Sequence, residues 1–424
     1  MTWNRIKFIE SIESTFVQIF KRIDEIAYDN QARVLRAFQR AKVSEAHLAP
    51  STGYGYDCLG RDGLEGVYAD VFGAEAALVR PQLISGTHAI ATALFGLLRP
   101  GDHFVSITGE PYDTLTPIIG QKIQATGSLK EFGVTYEAVP LLDGWTPDKE
   151  AIIAVLQTQP RLIAIQRSRG YANRPSFTVK QIEELITLVK TISPETICFV
   201  DNCYGEFVES EEPTHVGADI MAGSLIKNPG GGLAKTGGYL VGEVGLIEAC
   251  AARLTAPGIG AQVGPNPSGY TDFFQGLFMA PHTVAQAVKG AHFTAKAVEH
   301  FGLDASPHSG EVRTDLVQSV TFHDAKRMIA FCQAIQHASP INAHVTPYPG
   351  YMPGYEDDVI MAAGTFIQGA SLELTADGPI RAPYTAFIQG GLTYEHVKYA
   401  ICSALETCLE KGTLQQKEPA KGLS

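Results

Sequence analysis

Two side chains at the ends of successive apolar runs define the chemistry open to this chain. Residues 197–200 form a short apolar run that delivers Asp201. Residues 219–222 form a second, which delivers Ser224 and then Lys227, with Gly230, Gly231 and Gly232 close behind. A lysine amine can form a Schiff base with an aldehyde cofactor, and a carboxylate can hold the protonated pyridine nitrogen of pyridoxal phosphate. A lone lysine beside a glycine loop is otherwise a solvated surface group, so the elements around the pair must decide. Lys235, beyond the glycines, is the competing amine.

Several upstream loops carry compatible residues. Ser85, Gly86 and Thr87 lie between a short apolar piece and a helix expected from about His88 to Leu98. A small-residue turn at a helix start presents free N–H groups and a positive dipole end, which suits a phosphate. The same residues are equally an ordinary N-cap. Tyr112 is the aromatic residue in the loop after the strand-like 103–108, where it could stack on a flat ring and offer a phenol for proton transfer. Arg167 and Arg169 follow the buried-type strand 161–166, and a guanidinium there could receive a carboxylate bidentately. Residues 49–66 read as a glycine- and tyrosine-rich loop in which Tyr54, Tyr56 and Arg61 supply hydroxyl and guanidinium donors. Arg381, among apolar and proline residues, is a second candidate for a substrate carboxylate.

Short apolar strands alternate with helical stretches at 88–98, 148–157 and 179–191. That alternation predicts an α/β domain with a mainly parallel sheet, whose ligands bind beyond the carboxyl ends of the strands. Gly86, Tyr112, Arg169, Asp201 and Lys227 all sit just after strand-like runs. Apolar residues from Ile6 to Ile26 recur every three or four positions and predict one long amphipathic helix, with a second piece around Val34 to Phe38. A long helix is expected over 283–301, strands at 319–322 and 367–374, and helices at 324–338 and 394–411. The expected division is an N-terminal helical arm and loop over 1–60, a large domain over 61–302 and a small domain over 303–424.

The 424 residues carry a net charge of -12, and 45% of them are hydrophobic. The acidic balance argues against nucleic-acid binding, which needs a basic footprint. No apolar run approaches the roughly 20 residues that span a bilayer, and residues 1–10 are too polar for a secretory signal. The seven cysteines include no CxxC pair, so reduced thiols in a cytoplasmic protein are expected. The acids of EFVESEEPTH read as a solvated run rather than a metal cage, and no metal site is expected.

The segments SGTHAIATALFGLLRPGD, ITGEPYDTL, IQRSRGYANRPS, FVDNCYGEFVE, GADIMAGSLIKNPGGGLAKTGGYLVG, RLTAPGIG, MPGYEDDVIMAAGTFIQGAS and QGGLTYEH together resemble a family. It is the group of pyridoxal-phosphate enzymes described as cystathionine-lyase-like or methionine gamma-lyase-like proteins linked to aluminium resistance. The likeness covers roughly 33–404. It implies the aspartate-aminotransferase fold (fold type I), with a large domain on a mainly parallel sheet and a smaller α/β C-terminal domain. It also implies a homo-oligomer, dimer or tetramer, with active sites shared between chains. By position, Lys227 matches the Schiff-base lysine and Ser224 a phosphate-binding hydroxyl. Asp201 matches the acid on the pyridine nitrogen, Gly86 and Thr87 the backbone donors to phosphate, and Tyr112 the ring-stacking tyrosine. Tyr54 resembles the tyrosine that reaches the phosphate from the neighbouring subunit. Where better-known lyases carry an arginine shortly after it, this chain has Tyr56, and Arg61 is the nearby guanidinium. Thr114 stands where some methionine gamma-lyases have a cysteine. The implied activity is carbon–sulfur lysis, by β- or γ-elimination, of a sulfur-containing or related amino acid. Transamination, racemisation, aldol cleavage, and non-catalytic cofactor binding or metal tolerance are the alternatives.

Overall fold

The computed structural model describes residues 4–121, 126–352 and 355–414. They form two compact units, one of 26–282 and one joining 1–25 to 283–424. The N-terminal apolar repeat folds as two helices, α1 (Arg5–Glu13) and α2 (Val17–Arg40). The single helix expected over 6–26 is interrupted at 14–16. There the Ser14 and Thr15 hydroxyls donate to the carbonyls of Ser11 and Ile12, at 2.9 and 2.7 Å, so side chains compete with the helical ladder.

In the larger unit, α3 (Leu59–Val71) leads to β1 (Ala76–Arg80), α4 (Gly86–Leu97), β2 (His103–Ser106), the short α5 (Thr116–Ile119) and β3 (Thr135–Ala138). A two-residue pair, β4 (Leu141–Leu142) and β5 (Thr146–Pro147), precedes α6 (Lys149–Leu156), β6 (Leu162–Gln166), α7 (Val179–Ile192), β7 (Ile197–Asp201) and β8 (Ile220–Ser224). Then come β9 (Gly238–Gly242) and α8 (Val244–Leu254). The sheet order is β1-β9-β8-β7-β6-β2-β3. Strands β3, β2, β6, β7 and β8 pair in parallel, and β9 runs antiparallel to both β8 and β1. Strands β7, β8 and β9 are buried throughout, which is why they read as continuous apolar runs. On one face Ile90 and Leu94 of α4 and Ile247 of α8 join Leu78, Phe104, Leu162, Phe199, Ile220 and Leu240 in one core.

Helix α9 (Thr271–His300) begins twelve residues before the expected 283 and carries Pro281 inside it. In the smaller unit, β10 (Asp304–Ser306), β11 (Gln318–Thr321), β12 (Val359–Ala362), β13 (Thr375–Pro379) and β14 (Thr385–Gln389) form an antiparallel sheet ordered β10-β11-β14-β13-β12. Helix α10 (Ala325–His337) packs on it, and α11 (Tyr394–Glu410) packs against α10. The strand expected at 367–374 is absent; β12 and β13 flank that stretch instead. There the Glu373 carboxylate accepts the N–H groups of Phe366 and Ile367 at 2.8 and 2.9 Å, closing a loop.

The observed breaks fall after 25 and 282, where the sequence suggested 60 and 302. Phe8, Ile12 and Phe16 join Phe293, Phe301, Phe331 and Ile401 in the smaller unit's core, and Lys398 reaches Glu13 at 2.9 Å. The first 25 residues thus belong to the smaller unit, along with the C-terminal part of α9. Among the described residues no helix is long and apolar enough to cross a membrane.

Candidate cofactor and active site

The parallel strands β6, β7 and β8 end in register, with Gln166 beside Asp201 and Asp201 beside Ala222. Whatever follows each strand is therefore delivered to one edge. Asp201, 8% exposed, closes β7, and its carboxylate accepts the Cys203 N–H at 3.1 Å. Burial pushes its carboxyl up, against the pull of Lys227 and Arg174. Lys227 follows β8 by three residues and its N–H donates to the Ser224 carbonyl at 3.3 Å. The Lys227 amine lies 3.8 Å from the centroid of the Tyr204 ring. Burial acts to lower its proton affinity, but Cys203, Tyr204, Asp201 and Tyr112 more than offset this, so the amine is held well above the ordinary lysine value.

The glycines after Lys227 have a packing reason. Gly231 sits at φ +57, and a Cβ there would come within 2.2 Å of the Gly276 carbonyl oxygen of α9. A Cβ on Gly276 would in turn meet the Gly230 oxygen at 2.4 Å. Only glycine permits this approach, and it fixes the turn that carries the lysine.

Helix α4 points its N-terminus at the same place. Ser85 caps it, accepting the His88 N–H at 3.0 Å. A Cβ on Gly86 would lie 3.1 Å from the Ser224 Cβ and 3.3 Å from the Cys203 sulfur. Glycine thus brings the first turn of α4 against the ends of β7 and β8. The Tyr112 hydroxyl is 3.0 Å from the Thr87 hydroxyl, and its N–H donates to Gln166 Oε1 at 2.9 Å. Burial, then the charge of Asp201, pushes the Tyr112 phenol up, so it holds its proton at neutral pH. Gly86, Thr87, Tyr112, Asp201, Ser224 and Lys227 therefore converge.

Tyr54 and Tyr56 stack on each other, centroids 5.5 Å apart, with 70% and 64% of each residue exposed. Arg61 is not on a loop: it is buried in the first turn of α3. Its guanidinium donates to the carbonyls of Gly55 and Gln262 at 2.6 and 3.3 Å and to Asp62 at 2.8 Å. It thereby anchors the loop that carries the two tyrosines. Arg169 is buried beyond β6, with its N–H on the Ser176 hydroxyl at 3.1 Å. Arg381 belongs to the smaller unit and pairs with Asp357 at 3.3 Å. Lys235 is exposed and paired with Asp272 at 2.9 Å.

The acidic run after β7 is solvated only in part, with Glu211 exposed and Glu209 half-buried. Glu206 and Glu212 are both fully buried. Arg167, also buried, pairs with Glu209 at 2.9 Å and Glu212 at 3.4 Å and donates to Asn202 at 2.8 Å. These partners of Arg167 lie 35–45 residues further along the chain. Among the described residues no cluster of His, Cys, Asp and Glu is placed to hold a metal, and all seven cysteines are buried and unpaired.

Comparison with known proteins agrees with this architecture. The methionine gamma-lyase family profile matches residues 5–409. A Listeria monocytogenes structure, described as a candidate cystathionine beta-lyase involved in aluminum resistance, is 59% identical. The match covers 95% of this chain and 99% of that one at a TM-score of 0.93. A Clostridium novyi structure, described as a carbon-sulfur lyase involved in aluminum resistance, is 48% identical over 95% of each chain at a TM-score of 0.90. The Bacillus subtilis protein YnbB is 61% identical over 401 residues, 94% of this chain and 95% of its own. The fold is of the aspartate-aminotransferase type, as the resemblance implied. The chain belongs to the methionine gamma-lyase family.

Proposed function

We propose that this protein is a pyridoxal-phosphate-dependent carbon–sulfur lyase that eliminates a β- or γ-substituent from a sulfur-containing amino acid. The observation that carries this reading is the convergence of a buried acid, a lysine amine and a helix N-terminus at the ends of β7, β8 and the start of α4. The residues fit the cofactor. Gly86 leaves a cradle that a Cβ would fill, and the first-turn N–H groups of α4 with the Ser224 hydroxyl suit a phosphate dianion. Asp201 suits a protonated pyridine nitrogen, and Lys227 suits an aldehyde. Bound there, pyridoxal phosphate supplies an electron sink for the carbanion left when the substrate Cα–H proton departs.

The chain's own groups do the rest. The Lys227 amine, when neutral, takes the Cα proton, because it stands at the strand edge where the aldehyde would be held. Tyr112, protonated and next to Thr87, stacks on the ring and donates a proton toward the departing group. Arg169 and Arg381 are the candidates for the substrate carboxylate. The exposed rings of Tyr54 and Tyr56 suit a contribution to the site of a second copy, as a homodimer or homotetramer, with Arg61 holding their loop. The products are a thiol, a 2-oxo acid and ammonia. Seven unpaired thiols suit a reducing compartment such as the cytoplasm.

The test is a panel of amino acids given to the cofactor-loaded protein, beside Lys227→Ala. Sulfur-containing members should yield 2-oxo acid, ammonia and thiol, and Lys227→Ala should abolish this. Borohydride reduction and peptide mass spectrometry should place the cofactor on Lys227. Attachment at Lys235, or conversion of the cofactor to its pyridoxamine form as the main outcome, overturns the reading.

A further inference from the structure

Behind Lys227 the larger unit buries a second carboxyl group. Glu206 is fully buried. Its Oε1 accepts the Tyr239 hydroxyl of β9 at 2.7 Å. Its Oε2 meets no hydrogen-bond partner among the described residues. Its backbone carbonyl accepts Asn228 Nδ2 at 2.9 Å, and Asn228 is the residue after Lys227. Asn228 Oδ1 is also buried without a partner. On the other side of the lysine turn stands Gly223, the residue before Ser224. A Cβ there would lie 2.5 Å from Glu206 Oε1 and 2.5 Å from the Tyr239 ring. Glu206 therefore touches the chain on both sides of the lysine.

The two partnerless atoms are an acid oxygen and an amide oxygen, and both are acceptors when the acid is ionised. A buried carboxylate with one oxygen unsatisfied is costly, whereas the neutral acid brings a donor to a place that otherwise holds acceptors. The surroundings agree. Tyr239 and Tyr68 face the carboxyl from β9 and α3, and burial pushes both phenols up. The Cys203 thiol is likewise pushed up by burial. Glu212 adds negative charge, and its own oxygens take Asn202, Phe207 N–H and Arg167. The Lys227 charge bears on Glu206, and the Arg167 guanidinium lies against Gly205, one residue before it. Burial pushes the Glu206 carboxyl up to about 8, with Tyr239 opposing, Glu212 adding and Lys227 opposing.

We propose that Glu206 is a positioning residue that keeps a proton behind Lys227 at neutral pH, and that its ionisation above neutrality adds to the charges already holding Lys227 protonated and so limits cofactor attachment on the alkaline side. The inference rests on Lys227 being the cofactor lysine. Only the neutral amine attacks an aldehyde, so a new negative charge behind it must slow attachment.

The experiment mixes cofactor-free protein with pyridoxal phosphate across pH 6 to 10 (about two units either side of the Glu206 transition). Lysine attachment is trapped by borohydride and read by mass spectrometry. The wild-type rate should rise as the amine deprotonates and flatten above about pH 8. Glu206→Gln, a neutral isostere, should continue to rise and exceed wild type by about tenfold at the alkaline end, the effect of about one unit in the amine's proton affinity. Tyr239→Phe removes the hydrogen bond that favours the charged carboxyl, so its flattening should move to higher pH. In the wild type, carbon-13-labelled glutamate should show one carboxyl titrating near pH 8, whether or not either variant folds. Superimposable rate profiles for wild type and Glu206→Gln, or no such carboxyl in the wild type, overturn the proposal. Absence of any Lys227 adduct in the wild type at every pH would instead sink the cofactor assignment itself.

Discussion

Replacing Glu206 by Gln should make the cofactor-free protein increasingly more stable than wild type as pH rises from about 5 to about 8. Glu206 is fully buried and its carboxyl is displaced from 4.5 to about 8. Below pH 4.5 both folded and unfolded chains carry the proton, and nothing distinguishes them. Between 4.5 and 8 the unfolded chain has released the proton and the folded chain has not. Stability then falls as pH rises, because the unfolded state binds fewer protons. Above about 8 the loss is complete. At about 1.4 kcal/mol per pH unit, a displacement of this size is worth about 5 kcal/mol. Glutamine never ionises, so the variant lacks this slope. The amide also keeps an acceptor for Tyr239, and any packing offset is constant in pH. The assay is urea titration of both proteins at half-unit pH steps, followed by hydrogen exchange at the amides of β7 and β8, which report the larger unit. Cofactor must be absent, since binding adds its own pH dependence. Parallel stability curves from pH 5 to 8 would show that Glu206 ionises normally and would refute the reasoning.

Gly231→Ala should cost about 2–5 kcal/mol, combining a left-handed backbone with a Cβ forced against α9; a urea midpoint within error of wild type would contradict the close approach to Gly276. Tyr112→Phe should lower kcat by about 10²–10⁴ while changing KM little, and a loss below tenfold would reduce Tyr112 to ring packing. Tyr54→Phe should weaken cofactor retention by about 10–100-fold, the worth of a hydrogen bond to a charged group, with no change in the unfolding of the isolated chain. Retention equal to wild type, measured by dialysis and absorbance, would remove Tyr54 from the site.

The strand-end residues were legible because burial writes itself into sequence. β7 and β8 are covered on both faces, so each appears as an uninterrupted apolar run and the first polar residue after it marks the sheet edge. Asp201, Ser224 and Lys227 followed from that. Helix α3 did not, since Gly60, Gly63 and Gly66 all argue against a helix. The reason lies in distant residues. A Cβ on Gly60 would come within 2.3 Å of the Tyr270 ring, and one on Gly63 within 2.5 Å of the His47 ring. Packing against residues far along the chain overrode local preference, and Arg61 was misplaced with it. Pro281 concealed the true start of α9 in the same way, because a proline normally marks a boundary.

The acidic run after β7 shows how two glutamates six residues apart can be buried by opposite means. Glu212 has donors for both oxygens: Phe207 N–H on one at 2.8 Å, Asn202 and Arg167 on the other at 3.0 and 3.4 Å. Phe207 and Asn202 lie on the same segment, but Arg167 comes from beyond the neighbouring strand β6, and nothing in its spacing assigns it to Glu212 rather than to a substrate. Glu206 has the Tyr239 hydroxyl and its own backbone N–H as donors, and its Oε2 meets none. Burial pushes both carboxyls up; at Glu212 two guanidinium groups, Arg167 and Arg33, oppose it, whereas at Glu206 the opposing groups are the Tyr239 hydroxyl, its own backbone N–H and the Lys227 amine. The fold thus places two acids around Lys227 with different work. Asp201, at the open strand end and near Arg174, is positioned for a cationic ring nitrogen. Glu206, behind the turn and short of donors, is positioned to stay neutral until the pH rises.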